Sequence, residues 1–138
     1  MGLLKTDGYI KKGHRVGISL KEEDKYMIEN FKNALQVDSS LIYDKREGKQ
    51  CYYIEFSSLQ ICDDLAKYDI IENKTYLLND IKIEQISKNL QRHYLRGLLD
   101  GDGTIYIDGS SVAVGFCGYN KNFVQSFQYA IDNYLNKT

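Results

Sequence analysis

At 138 residues the chain has room for one hydrophobic core of ordinary size, or for two small halves sharing one, but not for two independent domains. Hydrophobic residues make up 43%, tyrosine fills 12 positions and proline none, which excludes a disordered or low-complexity chain. The net charge of -1 excludes a uniformly basic nucleic-acid protein, yet the cations are gathered at Lys11, Lys12, His14 and Arg15 and again at Lys45, Arg46 and Lys49.

In chain order, GLLKTDGYI (residues 2–10) gives the stub of an apolar helix running into a strand. YIKKGHRVGISL (9–20) alternates as two short strands around a basic, glycine-containing turn, and MIENFKNAL (27–35) has helical spacing. Leu41, Tyr43 and residues 51–56 give a second hairpin around KREGK, and SLQICDDLAKY (58–68) gives a helix with Ser57 or Ser58 as its N-cap. After a mixed connection, IEQISKNLQRHYLRGLLD (83–100) predicts a helix that Gly101 and Gly103 end. TIYIDGSSVAVGF (104–116) reads as strand, Asp-Gly turn, strand. The last element places Phe123, Val124, Phe127, Ala130, Ile131 and Tyr134 on one helical stripe. Cys51, Cys62 and Cys117 are odd in number and lack a CxxC pair, so free thiols are expected, with Cys117 buried; His14 and His93 read as surface residues. No run approaches an apolar twenty-mer and the start lacks a signal-peptide core, so an intracellular protein without a membrane partner is expected, in the cytoplasm or an organelle.

Laid against itself, the chain repeats at an offset of 95: residues 2–10 fall on 97–105 with Gly, Leu, Leu, Asp, Gly and Ile identical. Each copy is followed by two strands and a helix, but the second has nothing equivalent to residues 38–68. The expected division is therefore residues 1–74, a first repeat with a shortened leading helix, and 75–138, a linker with an incomplete second repeat. A hairpin under one helix is a poor core alone. The expectation is a truncated sequence, or completion by self-association or by a partner chain.

Asp7 and Asp102 occupy the same place in the two copies. Packed helix ends would set both carboxylates side by side at negative dipole ends, which raises their pKa unless a cation sits between them. Mg²⁺ or Mn²⁺ meets that need and can activate water against a phosphodiester. The plainer alternative, that these are turn and cap acids, stays open. An EF-hand is excluded, because Thr104 and Ile105 stand where that loop needs an acid or amide and a glycine, and no GxxxxGK[ST] phosphate loop exists.

YLRGLLDGDGTI (94–105), with its weaker echo GLLKTDGYI, resembles the signature of the LAGLIDADG homing endonucleases. The resemblance implies an α+β fold of αββαββα repeats with curved antiparallel sheets, the second incomplete here. It further implies a site-specific, Mg²⁺- or Mn²⁺-dependent endonuclease of mobile elements and introns that hydrolyses double-stranded DNA. The metal would lie between Asp7 and Asp102, with Asp100 structural. The motif helices would pack through Gly2, Leu3, Gly97, Leu98 and Gly101, and Lys11, Lys12, His14, Arg15, Lys45, Arg46 and Lys49 would meet DNA. The alternative is a catalytically inactive DNA-binding or regulatory protein, or a fragment, of the same fold.

Overall fold

The two sequence periods, 2 and 3.6, translate into alternating hairpins and helices in the computed structural model, which describes residues 1–46, 48 and 50–136. In order these are α1 (Gly2–Thr6), β1 (Gly8–Lys11), β2 (Arg15–Lys21), α2 (Lys25–Leu35), β3 (Ile42–Asp44), β4 (Cys51–Ser57), α3 (Leu59–Ala66), α4 (Lys88–Asp102), β5 (Gly103–Asp108), β6 (Ser111–Phe116) and α5 (Lys121–Leu135). By packing the chain forms two units, residues 7–72 and residues 1–6 with 73–138. The short α1 therefore belongs to one unit by packing and heads the other repeat by sequence.

In the unit of residues 7–72 an antiparallel sheet has the order β1-β2-β4-β3. Strand alternation puts Ile10, Val16, Ile18, Ile54 and Phe56 on one face, and Val16, Ile18 and Ile54 are fully buried. Ile28 of α2 and Cys62 and Leu65 of α3 are buried in the same unit. The other face carries Tyr9, Lys11, Arg15, Gly17, Ser19 and Glu55. Ser58 caps α3, its hydroxyl accepting from the Ile61 N–H at 3.2 Å. Ser58→Ala is expected to cost about 1 kcal/mol in urea denaturation, since an orphan N–H of the first turn loses its acceptor.

In the other unit the core joins Leu78, Ile81, Tyr94, Leu95, Leu98, Phe123, Phe127 and Ala130. Phe116, the last residue of β6, stacks on Phe127 with centroids 3.9 Å apart. Two sequence expectations need correction here. The helix predicted from residue 83 begins at Lys88: Ile83–Gln85 form a separate 3₁₀ turn, Ile86 and Ser87 are extended, and the Gln91 amide donates to the carbonyls of Ile83 and Ile86 at 3.0 and 3.1 Å. The break lets both isoleucines pack against the core. At its other end α4 runs through Gly101 to Asp102, and Gly103 continues in extended rather than left-handed conformation. Gly103 is needed for space, because a Cβ there would lie 2.4 Å from the Leu99 carbonyl oxygen.

The α1 and α4 backbones touch. A Cβ on Gly2 would fall 2.4 Å from the Tyr94 carbonyl oxygen, and one on Gly97 would fall 3.0 Å from the Leu3 nitrogen. Leu98 is fully buried beside them and Leu3 partly so. The β5–β6 hairpin turns at Gly109, whose φ of 61° suits glycine, and forms a sheet of two strands only.

Candidate nucleic-acid interface

Cross-strand register builds a polar cluster on the open face of the four-stranded sheet. Tyr9, Gly17 and Glu55 lie in one row across β1, β2 and β4, and Lys11 pairs with Arg15 in the next row on that face. Gly17 leaves room for the Tyr9 ring to lie flat across β2, and the Tyr9 hydroxyl donates to Glu55 Oε2 at 3.2 Å. Lys11 Nζ reaches the same oxygen at 2.7 Å, and Arg15 reaches Oε1 at 2.9 Å. Lys11 also sits 4.6 Å from the Tyr9 ring centroid, a cation–π contact.

These contacts set the electrostatics. The hydrogen bond from Lys11, joined by that from Arg15, holds the Glu55 carboxyl below the usual glutamate range against an opposing desolvation effect. Desolvation, and then the Glu55 charge, push the Tyr9 phenol well above its ordinary value. Because the Glu55 pKa is depressed, the cluster contributes stability above the ordinary glutamate pKa, and that contribution is lost as pH falls through the folded value. One carboxylate against Lys11, Lys12 and Arg15 leaves the hairpin tip with two net positive charges at neutral pH. The tip is exposed from Lys11 to Arg15. Gly13 and His14 both take positive φ, and the His14 carbonyl accepts from the Ser58 N–H at 3.0 Å, which ties the tip to the end of β4.

The second basic group is arranged differently. Arg46 grips Asp44 in a fork, with Nε 2.9 Å from Oδ1 and an NH2 nitrogen 2.6 Å from Oδ2. That pair is locally neutral, and Lys45 is exposed beside it. Lys49 lies outside the described residues.

Asp102 ends α4 half-buried, and its carbonyl accepts from the Cys117 N–H at 3.1 Å. It lines a cavity of about 320 Å³ with Lys5, Thr6, Lys74, Tyr119 and Asn120 among others. Lys5 is 1% and Lys74 5% exposed; Lys74 Nζ donates to the Thr6 carbonyl at 2.8 Å and Lys5 Nζ to the Ile81 carbonyl at 3.4 Å. One carboxylate among two ammoniums, hydroxyls and an amide is a lining that suits an anion better than a divalent cation. Among the described residues no group of three or more His, Cys, Asp and Glu side chains is placed to hold a metal ion. Asp7 follows α1 directly, half-buried, as the first residue of the other unit. Asp100 is exposed and 3.5 Å from Arg96 one helical turn away, and Asp108 closes β5 at the turn. Cys117, expected buried, is exposed, because β6 ends at Phe116 and leaves Cys117 in the loop that follows.

Sequence reasoning passed over Glu55 and Lys74. A charge at the centre of YYIEF is the visible signal for Glu55, since alternation places it opposite the apolar set. Lys74 sits in a stretch without periodicity and gives no comparable signal.

No protein-family model matches the chain, and no curated protein does. Among solved structures, the LAGLIDADG meganuclease I-AabMI bound to uncleaved DNA aligns over 98% of this chain and 71% of its own, with a TM-score of 0.56 and 14% identity. The fold is of the LAGLIDADG homing-endonuclease type. The I-LtrWI homing endonuclease bound to target DNA aligns over 82% of this chain at 14% identity with a TM-score of 0.45. The meganuclease I-SmaMI bound to uncleaveable DNA aligns over 85% at 16% identity with a TM-score of 0.46. The chain spans 62% and 61% of those two LAGLIDADG structures, under two thirds of each. Within the LAGLIDADG αββαββα pattern, the repeat built on α4 and α5 is the shorter, with two strands against four.

Proposed function

We propose that this protein binds double-stranded DNA through the open face of the β1-β2-β4-β3 sheet, with the Lys11–Arg15 tip on phosphates and the strands along the major groove. A twisted antiparallel ribbon fits that groove, and exposed cations at its tip suit the backbone. The observation that carries the reading is the Lys11–Glu55–Arg15 cluster with Lys12 exposed in the adjoining turn, which gathers an excess of positive charge at one end of an exposed sheet face in a chain whose net charge is -1. The LAGLIDADG-type fold, seen bound to DNA in I-AabMI, supports it. His14 at the same tip and Lys45, just beyond β3 at the opposite end of the sheet, are proposed as further contacts. The repeats 1–74 and 75–138 are proposed as the two historical halves of the chain. Among the described residues no helix is long and apolar enough to cross a membrane.

A second reading, phosphodiester hydrolysis with Mg²⁺ or Mn²⁺ between Asp7 and Asp102, rests on the aspartate that ends each motif. The first reading is preferred because, among the described residues, no group of three or more His, Cys, Asp and Glu side chains is placed to hold a metal ion. The test is a randomised duplex library incubated with the protein at low salt, with and without Mg²⁺ or Mn²⁺. Retention of duplex without cuts is expected, and Asp102→Asn should bind as the parent does. Metal-dependent cuts that vanish in Asp102→Asn would establish the second reading instead, and no duplex binding would sink both.

A further inference from the structure

Arg15 leans from the exposed tip back over the open face of the four-stranded sheet. Its cross-strand partner on β4 is Ser57, yet its guanidinium bonds through one terminal nitrogen to Glu55 Oε1, 2.9 Å away in the next row on that face. Glu55 is fixed from the other side as well. Tyr9 and Lys11 donate to Oε2 at 3.2 and 2.7 Å. Tyr9 reaches that oxygen because Gly17 leaves β2 bare beneath its ring, where a Cβ would collide with it. Three donors converging on one carboxylate make a held geometry, unlike an isolated surface pair. The Glu55 side chain is 15% exposed and that of Arg15 55%. Among the described residues Glu55 is the only hydrogen-bond partner of the guanidinium, so its remaining donors are open to a ligand.

We infer that Arg15 reads a guanine in the major groove and that Glu55 is its positioning residue. This rests on the sheet face being a DNA interface, and within that interface it assigns the phosphate contacts of the tip to the lysines. A guanidinium pinned at one nitrogen is limited in its plane and presents its other N–H groups as a fork. In the major groove guanine alone sets two acceptors, N7 and O6, side by side for such a fork. Adenine places a donor beside N7, cytosine offers a donor, and thymine has one acceptor beside a methyl group. A lysine ammonium, a point charge on a flexible stem, discriminates less sharply.

Selection of sites from a randomised duplex library at low salt, followed by competition binding with the selected duplex, tests the assignment. The selected sites should share a guanine that the parent prefers over the other bases by roughly ten- to a hundredfold. Arg15→Lys keeps the charge and loses the fork, so most of that preference should disappear, at that position alone. Glu55→Gln should bind unselected duplex at least as tightly as the parent and relax the same position. Replacing the guanine by 7-deazaguanine, which lacks the N7 acceptor, should weaken the parent by about tenfold and Arg15→Lys much less. Both side chains lie on the open face, outside the core, so circular dichroism should show both variants folded. Duplex binding by the parent without a guanine preference, or with one that Arg15→Lys retains in full, overturns the assignment while the DNA interface stands. A preference that Glu55→Gln leaves intact overturns the positioning role of Glu55. If the parent binds no duplex at low salt, the interface itself fails and the inference with it.

Discussion

Gly97→Leu is expected to destabilise the unit built on α4 by about 2–3 kcal/mol, the cost typical of forcing a side chain into a packed contact. The Gly97 position faces the α1 backbone, where an added Cβ would lie only 3.0 Å from the Leu3 nitrogen and 3.1 Å from the Gly2 Cα. Alanine requires a shift of a few tenths of an ångström, and leucine requires α1 to leave. Urea denaturation should therefore place Gly97→Leu well below both the parent and Gly97→Ala, in which a helix-propensity gain of about 1 kcal/mol offsets the tighter contact, with amide exchange at Leu3 to Lys5 rising most in the leucine variant. Release of α1 would also free Lys5 from its buried place beside the Ile81 carbonyl. A leucine variant as stable as the parent, with α1 still protected, would show that the two helices do not rely on glycine contact.

The largest expected change in binding comes from the sheet face. Lys11→Ala with Arg15→Ala strips two cations and leaves Glu55 as uncompensated negative charge, so duplex affinity at low salt should fall on the order of a hundredfold. The slope of log affinity against log salt should become shallower by about 1 per lost phosphate contact. Glu55→Gln should act in the opposite sense. The amide keeps the shape and one acceptor oxygen, the negative charge disappears, and Lys11 and Arg15 gain freedom to meet phosphates. If the same cluster served only to hold the hairpin together, Glu55→Gln would lower stability and leave DNA binding unchanged.

Much of this was legible in the sequence because period and punctuation agree. Alternation across residues 9–20 and 104–116 marked two hairpins, the cap of α3 was narrowed to Ser57 or Ser58, and the echo of residues 97–105 in residues 2–10 pointed to the architecture. Three things were not legible, for physical reasons. The start of α4 was hidden because Ile83 and Ile86 continue the apolar spacing of a helix, while the chain breaks at residues 86–87 and Gln91 satisfies the freed carbonyls. Gly101 looked like a helix terminator, but the terminating geometry is extended and the constraint is space at Gly103. The burial of Lys5 and Lys74 depends on backbone carbonyls contributed by residues far away in sequence, Ile81 and Thr6, which no local pattern encodes. The basic groups at Lys11–Arg15 and Lys45–Arg46 were visible, and Glu55 stood out within YYIEF, whereas its pairing with Lys11 and Arg15, and that of Asp44 with Arg46, depends on cross-strand register and the turn.

The most direct test of the proposed DNA interface is a salt titration of duplex binding by fluorescence anisotropy, comparing the parent with Glu55→Gln. The expected result is measurable binding at about 50 mM salt, affinity that falls linearly on a log–log plot, and a slope steeper in Glu55→Gln by up to about 1. Absence of binding by either protein at that salt, or identical slopes and affinities, would contradict a DNA interface on this sheet face.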